Sequence, residues 1–134
     1  MREAIVGGNN PELPVMPWPE DPWSYAVVAK GTFIFTCGQL GKDRKTDKPV
    51  PGGLEAQTRQ AIFNLRNVLQ AAGADLKDVV KMTVYLQDSE SGDVFNRVYA
   101  EYFREKCPAR IRVHSAALKK EWLVMLDAIA VRPE

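Results

Sequence analysis

The 134-residue sequence predicts an α+β domain in which two helices cover one face of a sheet. Three observations carry that expectation. The elements run strands, helix, strand, helix, strands; both helical stretches are amphipathic; and the last strand is apolar on both of its faces. Two helices can cover only one sheet face, so the other needs a partner, and a second subunit is the natural one. The size fits one domain spanning residues 1–134, with 46% apolar and 26% charged residues.

The elements follow in order. Residues 7–23, "GGNNPELPVMPWPEDPW", hold five of the nine prolines and read as an extended loop, because proline fixes φ and lacks a donor. Trp18 and Trp23 ride on it, either packed onto the body of the domain or walling a pocket. "YAVVAKGTFIFTCGQL" predicts two strands folded about Lys30 and Gly31, and residues 41–53 a polar surface loop. A helix over residues 54–72 places Leu54, Ala61, Leu65, Val68, Leu69 and Ala72 on one stripe, lets Glu55 pair with Arg59, and stops at Gly73.

The strand "VVKMTVYLQD" carries Val80, Met82, Val84 and Leu86 on one face and Lys81, Thr83, Tyr85 and Gln87 on the other. Residues 89–106 predict the second helix, with Asp93 as N-cap and Phe95, Val98, Tyr99, Tyr102 and Phe103 as its apolar stripe. After Cys107 and Pro108, Arg110, Arg112 and His114 alternate with Ile111, Val113 and Ser115, the pattern of a half-buried strand. In the final strand Trp122, Val124, Leu126, Ala128 and Ala130 form one face, while Leu123, Met125, Ile129 and Val131 dominate the other.

Composition excludes several classes. Lys and Arg total 18 against 17 Asp and Glu, without the basic excess of a nucleic-acid grip. No apolar run approaches a membrane span, and the first ten residues lack a signal-peptide core, so a cytoplasmic protein is expected. Cys37 and Cys107 match no metal spacing and read as free thiols. Neither a glycine-rich phosphate loop nor a G-x-S-x-G elbow is present.

What remains is the basic face of the arginine strand. Arg110, Arg112 and His114 are either ordinary surface bases or an anion site, since a strand-mounted guanidinium offers a carboxylate a fixed, permanently charged fork. Two residues of strand set Arg110 and Arg112 roughly 6.5–7 Å apart on one side, close enough to serve one dicarboxylate. Asp127 is the one carboxylate inside the last strand; it is either paired with a cation, Arg112 being a candidate, or kept for proton transfer. A Cys37–His114 nucleophilic pair finds no support in the spacing, and a small buried or half-buried thiol is the plainer role for Cys37.

The stretches "FTCGQLG", "EAQTRQAIFNLRNVLQAAGADLKDVVKMTVYLQD", "FNRVYAEYF", "CPAR" and "LDAIAV" resemble, in order and spacing, the Rid/YjgF family, over residues 24–132. The resemblance implies a chorismate-mutase-like α+β fold with a mixed six-stranded sheet, a homotrimer with sites in the clefts between subunits, and hydrolysis of enamine or imine acids to oxo acids and ammonia without a cofactor. It assigns Arg110 to the substrate carboxylate, Asn96 to the cleft, and Cys37 to a position where many members carry serine. Three positions depart from the pattern. Met125 replaces the glutamate thought to hold the hydrolytic water; the family's tyrosine falls on Ser24, one place from Tyr25; and Arg112 replaces a small residue. Asp127 is then the local substitute acid or base. The alternative is a trimer that binds small acidic metabolites or a partner protein and has lost catalysis; the ribonuclease activity attributed to some relatives lacks a basic aromatic groove here.

Overall fold

The computed structural model describes residues 2–7, 11–115 and 118–134, so part of the proline-rich loop, residues 8–10, lies outside the described residues. Seven strands and two α-helices follow one another: β1 (Arg2–Ile5), β2 (Ala26–Ala29), β3 (Thr32–Phe35), β4 (Gln39–Leu40), α1 (Gly53–Ala71), β5 (Val79–Leu86), α2 (Gly92–Tyr102), β6 (Ala109–His114) and β7 (Val124–Arg132). The main sheet is mixed, with β3, β7, β5 and β6 in that order and β4 also on β7. Among the described strands only β5 and β6 pair in parallel, joined by α2; the pairs with β7 are antiparallel.

The implied six-stranded sheet is replaced by five strands and a separate ribbon of β1 and β2. Lys30 and Gly31 do turn the chain, but β2 pairs with β1 while β3 pairs with β7, so the expected hairpin does not form. Gly31 has φ +135°, a conformation strained for any side chain, and it redirects the strand rather than folding it back. Arg2 anchors the ribbon by donating to the carbonyls of Lys77 and Lys106.

Both helices start and stop for local reasons. Gly52 and Gly53, at φ +116° and +76°, lead into α1. At its end Gly73 donates to the Gln70 carbonyl and Ala74 to the Leu69 carbonyl, closing a Schellman motif. The N-cap role expected of Asp93 is not realised. Asp93 is the second residue of α2, where its charge complements the helix dipole, and Asp88 instead caps the short 3-10 turn just before. Arg59 bonds Glu101 at 2.8 Å and Arg97 bonds Glu55 at 3.0 Å, tying the helices together; the expected Glu55–Arg59 pair is looser at 3.8 Å.

The core lies between the helices and one sheet face. Ala61, Leu65 and Leu69 of α1 and Phe95 and Tyr99 of α2 pack against Met82, Val84, Leu86, Val124, Leu126, Ala128 and Ala130. Each large side chain among them contributes roughly 1.5–3 kcal/mol by leaving water. Tyr102, expected in the stripe of α2, stands partly exposed instead. The opposite face carries Met125, Asp127, Ile129 and Val131 of β7, half-exposed, with Phe33, Phe35, Ile111 and Val113 more open still. Phe35 keeps 72% of its surface in solvent within one copy of the chain.

Candidate functional site

Strand register decides which side each candidate faces. Arg110 stands opposite Met82 and Arg112 opposite Val84, so both point to the side that the helices cover. Ile111 and Val113 point to the open face, with Thr83 and Tyr85. Asp127 pairs across the sheet with Thr83 and Met125 with Tyr85, which places both acidic and thioether side chains on the open face. The sequence-predicted residues therefore split into two groups.

Arg110, Arg112 and Asn96 form the first. Nη2 of Arg110 donates to Oδ1 of Asn96 at 2.8 Å, and Nη1 of Arg112 reaches the same oxygen at 3.5 Å. The other end of the Asn96 amide donates to the Glu20 carbonyl at 3.3 Å. Aromatic rings enclose the Arg110 guanidinium, with Cζ 4.5 Å from the centroid of Trp23, 4.8 Å from Tyr99 and 5.5 Å from Phe95. Burial, and after it the neighbouring charge of Arg112, push its pKa down to about 10, so it remains a cation at neutral pH. Nη1 of Arg110 is buried and has no hydrogen-bond partner, and no Asp or Glu among the described residues forms an ion pair with this arginine.

Arg112 is exposed and lies across the first residue of α2. A Cβ on Gly92 would come within 2.6–2.7 Å of its guanidinium, so glycine is what seats it there. A cation at a helix N-terminus beside a second guanidinium is electrostatically unfavourable without an anion nearby.

The second group sits on the open face and beside β4. Met125 is half-buried next to Leu40 in register, with Sδ against Gly38. Asp127 accepts a hydrogen bond from the Tyr85 hydroxyl at 3.2 Å; within one copy it cannot pair with Arg112, because the two lie on opposite sides of the sheet. The Cys37 thiol is exposed and accepts from Gln39 at 3.3 Å, so Gln39 rather than His114 is its partner. Both cysteines are free, and burial raises the pKa of Cys107.

The sequence offers Trp23 as packed on the body or walling a pocket but does not connect it to Arg110. Ser24 is buried with its hydroxyl on the Cys107 carbonyl, and Tyr25 donates to Pro14; the ring over Arg110 belongs to the residue before them. The signal was the indole on a proline-rich loop. Trp18 fulfils both readings of that loop, since its Nε1 donates to the Phe103 carbonyl while its ring lines a cavity of about 540 Å³ with Glu20, Asn96 and Arg104.

A half-buried arginine with one buried, unmet donor and no ion-pair partner among the described residues is costly unless an anion completes it. The planar fork matches a carboxylate. Fold and site together define a small α+β protein with an arginine fork held among aromatic rings. Three comparisons give its family. The family model described as Endoribonuclease L-PSP matches residues 15–132. A RutC family protein of Pyrococcus horikoshii is 42% identical over 132 residues, covering 98% of this chain and 99% of that one. A 2-iminobutanoate/2-iminopropanoate deaminase of Bos taurus is 42% identical over 111 residues, 83% of this chain and 80% of that protein. Among solved structures, the YjgF gene product of E. coli superposes with a TM-score of 0.69 at 34% identity, over 84% of this chain and 89% of that one. RidA from an Antarctic Psychrobacter reaches 0.71 at 37%, over 81% and 87%. The chain belongs to the endoribonuclease L-PSP family, the YjgF/Rid family. No helix among the described residues is long and apolar enough to cross a membrane, and none of their His, Cys, Asp and Glu side chains cluster as a metal site.

Proposed function

We propose that this protein hydrolyses reactive enamine or imine acids to oxo acids and ammonia. The observation that carries the reading is Arg110, a half-buried fork whose Nη1 has no hydrogen-bond partner and which no carboxylate of the described residues meets in an ion pair. The substrate carboxylate accepts from that fork, which favours the imine tautomer and fixes the C=N carbon in place. Water adds to this carbon, giving a carbinolamine; the C–N bond then breaks, the nitrogen leaves as ammonia and the oxygen remains as the new carbonyl. Such imines hydrolyse readily, so positioning and charge stabilisation supply much of what is needed.

Arg110 and Asp127 stand on opposite sides of one sheet, so they reach one substrate only from two copies of the chain. The apolar open face, with Phe33, Phe35, Ile111 and Ile129, supports a homotrimer in which one copy brings Arg110, Asn96 and Arg112. The neighbouring copy brings Cys37, Met125 and Asp127. With Met125 at the water-holding position, Asp127 is the remaining carboxylate to move a proton, and Tyr85 holds it. Arg112, seated by Gly92 and sharing Asn96 with Arg110, extends the substrate class to dicarboxylates of the aminomuconate kind.

Met125 also favours a second reading, a trimer that binds small acidic metabolites without turning them over, because a thioether takes no proton. Ammonia release from freshly generated 2-iminobutanoate, 2-iminopropanoate and aminomuconate-like acids separates the two. Release above the uncatalysed rate supports the enzyme; saturable binding with no release supports the binder.

A further inference from the structure

We infer that Trp23 is the positioning residue of the Arg110 clamp, acting on the guanidinium and not on the ligand; this rests on the reading of Arg110 as the carboxylate site. Two of the three rings around Arg110, Phe95 and Tyr99, are fully buried on α2 and belong to the core. The third comes from the loop. Trp23 lies nearest, at 4.5 Å, and is only half-buried.

The loop holds Trp23 in place through the same strand that carries the arginine. Ser24 N donates to the Pro108 carbonyl at 3.2 Å, Ser24 Oγ to the Cys107 carbonyl at 2.6 Å, and Ser24 bridges Ala109 in parallel. Trp23 N donates to the Asp21 carbonyl at 2.9 Å. Ring and guanidinium are thus fixed to adjacent residues of one short ladder. With α2 behind and the indole in front, the fork has lost its freedom to rotate before any ligand arrives, and water is kept from one of its faces. A cation over an indole is stabilised by the ring's quadrupole, most strongly when desolvated. Asn96 fixes Nη2 and the rings fix the plane of the fork, with Nη1 buried and without a partner. Such pre-organisation strengthens binding by removing the ordering cost.

The test is a double-mutant cycle read by calorimetric titration with pyruvate, a monocarboxylate probe that needs no turnover. Trp23→Ala is expected to weaken pyruvate binding about tenfold, and Trp23→Phe, which keeps a ring over the fork, to restore most of it. Arg110→Lys weakens binding as well, and adding Trp23→Ala to Arg110→Lys should cost little more, because Trp23 works through the guanidinium. In turnover the Trp23→Ala loss should fall on KM with kcat nearly unchanged. A full additional tenfold loss in the double variant overturns the inference, since Trp23 would then contact the ligand or support the fold at large. So does parent-like binding by Trp23→Ala beside an impaired Arg110→Lys, which leaves the clamp itself standing. Unchanged binding by Arg110→Lys overturns clamp and inference together.

Discussion

Arg110 and Met125 stand on opposite faces of one sheet: Arg110 lies opposite Met82 on the side the helices cover, and Met125 lies opposite Tyr85 on the side they leave open. One copy of the chain therefore cannot bring both to the same ligand. The open face that carries Met125 also presents Ile129, Phe33 and Phe35 beside Asp127 and Tyr85, and the proposed assembly would use it.

Assembly is the first expectation. Light scattering should give three times the 15.0 kDa chain mass at micromolar concentration. Ile129→Asp puts a charge in the middle of the open face and should lower that mass while leaving the far-UV circular dichroism intact. A trimer that survives Ile129→Asp would mean that this face is not the interface.

A carboxylate at Met125, the proposed water-holding position, should raise turnover. Met125→Glu is expected to increase imine hydrolysis by about 10²–10⁴-fold, the usual worth of a positioned acid or base. Asp127→Asn apportions the parent activity: a large loss assigns the proton to Asp127, whereas parent-like rates leave catalysis to Arg110 and water.

Gly92 and Arg112 offer a test of substrate class that leaves Arg110 untouched. Arg112→Ala should erase a preference for dicarboxylates over monocarboxylates, a loss of about 1.5–3 kcal/mol for a hydrogen bond to a charged group. Gly92→Ala should do much the same by displacing the guanidinium, since Gly92 has ordinary helical dihedrals that alanine accepts. Equal losses for both ligand classes, measured at one ionic strength, would make Arg112 a support for Arg110 and remove the dicarboxylate reading.

Tyr99 gives a stability prediction. Its hydroxyl is buried without a hydrogen-bond partner among the described residues, and burial raises its pKa. Tyr99→Phe removes an unmet polar group and keeps the ring on Arg110, so thermal unfolding at fixed protein concentration should show no loss, or a gain of about 1 kcal/mol. A clear loss would reveal a partner for that hydroxyl.

Much of this was legible in the sequence because periodicity reports burial directly. The alternation in "VVKMTVYL" and in the last strand placed Met82, Val84, Leu126 and Ala128 on one face and Met125 with Ile129 on the other, as the structure has them. The spacing of Arg110 and Arg112 put both on one side of their strand. What periodicity does not carry is which strand lies beside which. Without the register of β6 against β5, Arg112 and Asp127 were open to pairing, and β2 and β3 read as a hairpin although they join different sheets. Trp23 was hidden for a related reason: a loop has no period, and its side chain is aimed by a bridge from Ser24 to Ala109, 85 residues away in sequence. Asp93 misled because Asp88, a turn earlier, already caps the approach to α2.

The most direct measurement is ammonia released from freshly generated 2-iminobutanoate by the assembled parent and by Arg110→Lys, at matched protein concentration and mass. Lysine keeps the charge and loses the fork, so the account predicts release above the uncatalysed rate from the parent and a loss of about 2 kcal/mol or more, roughly thirtyfold, in kcat/KM for the variant. Parent-like release by a correctly assembled Arg110→Lys would contradict the claim that the half-buried fork of Arg110 holds the substrate.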